Sequence, residues 1–349
     1  LWRRRTITFY GQPSNQDIVE LRSSLLYTRK FSRYLQHLDI TLLKPTRSAF
    51  TQDFQENLRG LFSHLAKSNS PLLSLRVECV GLDLLTINSV VRVEFRKSLT
   101  SFLKKVGQRL DCVYLKGARM TLKEGCELLD ALSCPKNECS LSELNIRDLF
   151  IFHIRVYSSS TFHQCMAKFH NLVVLTFNYN CVCDEVLDTL RENSGHSLNT
   201  LNIKCHMYDP HEQVVRGSSW RNLALKAPKL RVNFWFEGVM NPNHLAKILL
   251  EEIPVRSISL KSYRFRDRDW PLSPTLVNLI PAYGHLLQSF TLQMNNEQEI
   301  LDEELLQLIL SCPRLLLLDL WAFLSVTFVE KLLQLRAEGK SSLATIRVR

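Results

Sequence analysis

The 349-residue chain predicts an α/β fold in which short parallel strands stack along one wall and amphipathic helices along the other. Three observations predict it. An apolar frame (leucine, two residues, leucine, one residue, leucine) recurs eleven times between residues 35 and 349. Between successive copies lie stretches whose apolar residues return every three and four positions, the spacing of a single helical stripe. Neither element buries its apolar face alone, so the units must pile on one another.

The elements follow in order. The chain opens LWRRRTITF, in which Thr6 to Phe9 alternate as a first, capping strand. A helix is expected in NQDIVELRSSLLYTRKFSRY, so residues 1–34 form a lead-in and residues 35–349 the repeat array. Copies begin at Leu35 (LQHLDI), Leu72 (LLSLRV), Leu110 (LDCVYL), Leu141 (LSELNI), Leu172 (LVVLTFNYN) and Leu198 (LNTLNI). An irregular copy, KLRVNFWF, fits only with Lys229 in the first leucine's place and Val232 and Phe234 as the inward pair. Val255 (VRSISL), Leu287 (LQSFTL), Leu315 (LLLLDL) and Leu343 (LATIRV) open the rest. The copy at Leu172 matches the leucine-rich-repeat template most fully, down to Asn180. The expected architecture is therefore a leucine-rich-repeat solenoid, a horseshoe with strands on its concave face and helices on its convex face. A doubly wound sheet also alternates strands and helices, but it predicts no repeating leucine frame.

Helices are expected in FTQDFQENLRGLFSHLAKS, TLKEGCELLDALS, CDEVLDTLRENS, NHLAKILLEE, DEELLQLILS and TFVEKLLQLRAEG. Two of them carry a capping-box pattern, Thr121 with Glu124 and Thr327 with Glu330.

Composition narrows the class. With 45% hydrophobic and 22% charged residues, 11 Gly and 12 Pro, the chain reads as ordered. Ser311, Pro313, Arg314 and Asp319 break the most apolar run below the roughly 20 residues a bilayer span needs. Arg3, Arg4 and Arg5 are not followed by the apolar block of a secretory leader. Most of the ten cysteines lie within apolar patterns, as small buried hydrophobes, which points to a reducing compartment, cytosol or nucleus. The net charge of +10 is uneven: residues 1–130 hold 21 Lys+Arg against 12 Asp+Glu, and residues 131–349 hold 23 against 22. Such a surplus suits acidic proteins or nucleic acid, although a solvated helical face is the plainer expectation.

No Gly-x-Ser-x-Gly elbow, phosphate-binding glycine loop or HExxH motif occurs, so neither catalytic nor cofactor-binding residues are expected. CHMYDPH crowds Cys205, His206, Asp209 and His211 after a strand, all of them zinc-competent types. The nearest companion pair, Cys181 and Cys183, is spaced more tightly than usual, so a buried cysteine with a polar loop is expected and no metal. More informative is the position just after the third apolar residue, which holds Lys116, Arg147, Lys204, Lys261 and Arg349 in five of the eleven copies. Strands about 4.8 Å apart would align these as a cationic row. Adjacent positions offer Asn145, Asn202, Ser259 and Thr291, with Trp235 and Trp321 as large aromatics. The expected partner-binding set is Lys116, Arg147, Lys204, Trp235, Lys261 and Trp321. In it the tryptophans anchor, and the cations steer an acidic or phosphorylated protein.

The opening Leu1-Trp2-Arg3 is similar to the tail of an F-box, the helical module that docks on the Skp adaptor of cullin ubiquitin ligases. KGARMT, SELNI, NYNC, NIKCHMYDPH, NFWFE, EIPVRSISL, LDEELLQLILSC and WAFL resemble stretches of the leucine-rich-repeat F-box-only family, over nearly the whole chain. The resemblance implies a non-catalytic substrate receptor of an SCF-type (Skp–cullin–F-box) ubiquitin ligase. It places Leu1, Trp2 and Arg3 next to the adaptor, with the docking module for Skp adaptor and cullin scaffold ahead of Leu1. Two alternatives remain at the level of the sequence, a repeat scaffold without a link to ubiquitin and a nucleic-acid binder; a membrane partner is not expected.

Overall fold

The computed structural model describes residues 2–10, 15–43, 48–78, 90–133, 140–262, 271–297 and 299–349. It divides into two compact units, Leu1–Phe177 with Thr189–Leu198 and Asn178–Asp188 with Asn199–Arg349. In the first unit β1 (Arg4–Tyr10), β2 (His37–Leu43), β3 (Ser74–Glu78), β4 (Cys112–Tyr114), β5 (Glu143–Asn145) and β6 (Val174–Asn178) pair in parallel, in sequence order. Helices α1 (Asn15–Lys30), α2 (Ser48–Lys67), α3 (Val90–Val106), α4 (Leu122–Leu132) and α5 (Ser160–Met166) connect them, and α6 (Asp184–Ser194) follows β6.

The second unit repeats the plan. Strands β7 (Thr200–His206), β8 (Arg231–Glu237), β9 (Val255–Lys261), β10 (Ser289–Gln293), β11 (Leu317–Trp321) and β12 (Thr345–Val348) again pair in parallel and in order. Between them run α7 (Gly217–Lys226), α8 (Pro242–Ile248), a π-helical turn at Thr275–Leu279, α9 (Asp302–Ser311) and α10 (Val326–Ala337). The fold is a leucine-rich-repeat solenoid. Each of the eleven leucine frames is a strand, and the capping strand expected at Thr6–Phe9 is β1.

The leucine frame produces this because parallel strands buried by helices need a continuous apolar row, while the residues between face out. Leu38, Ile40 and Leu42 of β2, Leu201, Ile203 and Cys205 of β7, and Leu318 and Leu320 of β11 are all fully buried. Each such side chain contributes roughly 1.5–3 kcal/mol by leaving water. On the helix side Phe62 of α2 packs on Phe95 and Phe102 of α3, ring centroids 6.0 and 5.2 Å apart. Neighbouring repeats are also joined by a recurring serine just ahead of a strand. Ser70 donates to the Leu35 carbonyl at 3.1 Å, Ser140 to that of Leu110 at 2.9 Å and Ser197 to that of Leu172 at 2.9 Å. Each acceptor is the first leucine of the copy before.

Two local expectations change. The Thr121–Glu124 capping box forms, the Thr121 amide donating to Glu124 Oε2 at 3.0 Å and the Glu124 amide to Thr121 Oγ1 at 3.4 Å. The one expected at Thr327–Glu330 does not. Helix α10 begins two residues earlier, capped by Ser325, whose hydroxyl accepts from the Phe328 amide at 3.0 Å. The second change lies in β8. There Val232, Phe234 and Phe236 all face inward, and a register shift between Val232 and Asn233 sets Phe234 opposite Ile258 and Phe236 opposite Leu260. Val232 pairs with Val255 but Asn233 with Ser257, so Arg256 of β9 is passed over and every later pair lies one residue further along β9. Among the described residues no helix is long and apolar enough to cross a membrane.

Candidate partner-binding surface

The outward positions of the first unit form charged ladders. Arg4 contacts Asp39 at 3.2 Å, Arg76 contacts Asp39 at 3.7 Å and Glu78 at 3.5 Å, and Lys116 contacts Glu78 at 3.7 Å. Asp39 and Glu78 are only 7% and 8% exposed. A carboxylate so shielded needs a cation beside it, so Arg76 and Lys116 compensate internal charge. The Arg76 guanidinium also lies 4.0 Å over the Tyr114 ring. Beside it Cys112, half-buried rather than in the core, has its thiol pushed up to about 12 by burial and by the carboxylates of Asp111 and Glu143. Arg147 stands next to Lys116, its carbonyl accepting from the Gly117 amide at 2.9 Å, and its own amide donates to Asn145 Oδ1 at 3.1 Å.

In the second unit the cationic row is not continuous. The β8 register shift places Lys204 beside Trp235 and Ser259, whereas Lys261 lies beside Glu237 and Gln293, and Gln293 beside Trp321. Lys204 is 7% exposed and paired with Glu237 at 3.0 Å. Trp235 is half-buried, and Asn202 accepts from Asn233 Nδ2 at 2.8 Å. Lys261 is half-buried, Arg349 exposed, and neither has a carboxylate partner among the described residues.

At the far end of β9–β12 the wall opens into a cleft of about 650 Å³, lined by Ser262, Gln293, Asn295, Trp321, Phe323 and Arg349 among others. Trp321 and Phe323 are 52% and 59% exposed. Buried Asn296 braces the loops that carry this lining. Its Nδ2 donates to the carbonyls of Glu299 at 3.0 Å and Phe323 at 2.9 Å, and its Oδ1 accepts from the Phe323 amide at 2.7 Å. One side chain thus ties the loop after β10 to the loop after β11, holding Phe323 against the strand wall. The Arg349 guanidinium lies 5.9 Å from the Trp321 ring centroid. Phe323 and Asn296 were not in the expected set, since both follow their strands rather than lie within them.

The lead-in residues sit elsewhere in the first unit. Trp2 stacks on Phe31 (4.0 Å, 24°) and Tyr27 (5.5 Å, 27°), and the Arg3 carbonyl accepts from the Gln36 and His37 amides at 2.8 and 2.9 Å. Leu1 lies outside the described residues. Trp2 and Arg3, with Phe31, Arg33, Tyr34 and Pro71, line a second cleft of about 660 Å³. The CHMYDPH side chains have separate partners. Cys205 is buried in the core, where burial raises its thiol well above the ordinary range; Asp209 accepts from Asn178 Nδ2 at 2.7 Å. His211 packs against Tyr179 and His244 at 5.6 and 5.0 Å, and burial together with His244 draws its pKa down to about 3. Among the described residues these four do not converge as a ligand set.

No family model matches the sequence. Among solved structures the chain is similar to one described as the crystal structure of the Rad7 and Elc1 complex in yeast, with 18% sequence identity and a TM-score of 0.46. The similarity covers 85% of this chain and 66% of that one, so the chain spans just under two thirds of the length of its match.

Proposed function

We propose that the chain is the substrate-recognition subunit of an SCF-type ubiquitin ligase, a leucine-rich-repeat member of the F-box-only proteins. It holds a target protein on its strand face and performs no bond chemistry itself. The observation that carries the reading is the cleft at the end of β9–β12, where two large aromatics stand exposed beside Arg349, with Lys261 two strands from Trp321 and neither cation holding a carboxylate partner among the described residues. Aromatics and arginine in a concave site are the groups that dominate partner binding. The sequence resemblance supplies the ubiquitin link. A receptor of this kind acts by raising the local concentration of its target near a charged conjugating enzyme. In this reading the Skp adaptor and cullin are the ligase partners, and Trp2, stacked on Phe31 and Tyr27, and Arg3 lie on the adaptor side of the chain. The free cysteines suit a reducing cytoplasm or nucleus.

The test is affinity purification of the full-length protein from cells under proteasome inhibition, followed by mass spectrometry. Skp adaptor and cullin should be recovered, together with ubiquitinated proteins that disappear in the Trp321→Ala variant. Recovery of neither ligase subunit would falsify the ubiquitin assignment.

A further inference from the structure

Resting on that reading, we propose that the cleft at β9–β12 takes a short extended peptide pairing an apolar side chain, seated on Trp321 and Phe323, with an anionic side chain held by Lys261 or Arg349. Charge bookkeeping along the strand face singles out this place. In the expected row, Lys116 and Lys204 neutralise Glu78 and Glu237 of the adjacent repeats. Lys261 and Arg349 have no such carboxylate among the described residues; Glu237, beside Lys261 in register, is engaged by Lys204. These cations flank the exposed aromatics. An anion bound here therefore meets positive charge that the fold has not already consumed, next to apolar surface that gains by leaving water.

The register gives the ligand a ruler. Lys261, Gln293 and Trp321 follow one another on adjacent strands, each outward beside the buried Leu260, Leu292 and Leu320. Lys261 and Trp321 are thus two strand spacings apart, about 10 Å, or roughly three residues of extended peptide. Arg349 adjoins Trp321 directly, its amide donating to the Leu320 carbonyl at 2.9 Å. Peptides with the anion next to the apolar residue would use Arg349, and those with the anion three residues away would use Lys261. Glu297 on the rim is the one acidic lining residue among the described residues and disfavours a second anion on its side.

An immobilised library of hexapeptides tests this, each holding Leu, Phe or Trp with Asp, Glu or phosphoserine at separations of one to four residues and a matched Asn or Ser control. It is probed with the purified protein. Binding should be confined to members bearing both groups and should fall about tenfold or more in Trp321→Ala and in Arg349→Glu. Lys226→Glu, a charge reversal on the exposed face of α7, should bind as the parent does. Separate carboxylate and phosphate arms show which anion is preferred. Trp321 and Arg349 are exposed, so unchanged melting temperatures are expected and certify the variants. The proposal is wrong if no member binds, if Asn and Ser controls bind equally, or if Lys226→Glu is as damaging as Arg349→Glu. Any of these leaves recovery of the ligase subunits untouched, so the two readings fail separately.

Discussion

Arg92 and Glu124 show how the fold treats buried charge. Arg92 is 3% exposed, and its two terminal nitrogens donate to the two Glu124 oxygens at 2.8 and 2.6 Å. Burial alone would raise the Glu124 carboxyl, but Arg92 and the Thr121 amide and hydroxyl outweigh it and hold the carboxyl below its ordinary range. A depressed folded pKa means stability present above the unfolded carboxylate value, near 4.3, and lost as pH falls through the lower folded value. Glu124→Gln is accordingly expected to weaken the protein at pH 7 and to flatten the acid limb of a urea-midpoint-versus-pH curve. A limb of unchanged steepness would show that Glu124 does not contribute. The Lys204–Glu237 pair predicts a one-sided loss, since Glu237→Gln leaves a shielded ammonium without its carboxylate. About 1–3 kcal/mol is expected by chemical denaturation. The exposed Lys331–Glu303 pair at 2.7 Å should yield well under 1 kcal/mol on the same treatment.

Among the elements, helix starts and strand registers mark where the sequence was legible. Thr121 caps α4 as its pattern foretold, and Thr121→Ala should cost about 1 kcal/mol. For α10 Ser325→Ala should cost a similar amount and Thr327→Ala little, measured as shifts in denaturation midpoint, because the hydroxyl that meets the Phe328 amide belongs to Ser325. Both residues are cap formers two positions apart, and only the path of the chain leaving β11 decides between them. Strands were readable everywhere because a strand covered by helices repeats its leucines, even at KLRVNFWF. The alignment of outward residues was not. It depends on the irregularity between Val232 and Asn233, where Arg256 of β9 is passed over. Hence the outward aromatics and cations of the strands could be named from spacing, while the split between cations with and without a carboxylate could not, because those carboxylates lie in other repeats. The serines ahead of β3, β5 and β7 were overlooked for a similar reason, as their acceptors are backbone carbonyls of another copy.

For the whole molecule, nearest-neighbour stacking governs how damage spreads. In a solenoid each repeat contacts only its neighbours, so a lesion propagates locally. Leu318 of β11 is fully buried, in register with Phe290 of β10 and Ile346 of β12. Leu318→Ala should cost about 2–5 kcal/mol, and hydrogen exchange should accelerate first in β10, β11 and β12 while β7 and β8 keep their protection. Uniform loss of protection across β7–β12 would instead indicate that the unit opens in one step.

The ladder from Arg4 through Asp39, Arg76 and Glu78 to Lys116 makes the first unit's order irreversible. Were β3 excised with its helix and the ends rejoined in register, Lys116 would face Thr41 and Asp39 would face Tyr114. Lys116 would lose its carboxylate, and Asp39 would keep Arg4 alone of its two arginines. Modules that look interchangeable by their leucines are, by their charges, more like words in a sentence than beads on a string, and shortening by one member is not a neutral edit.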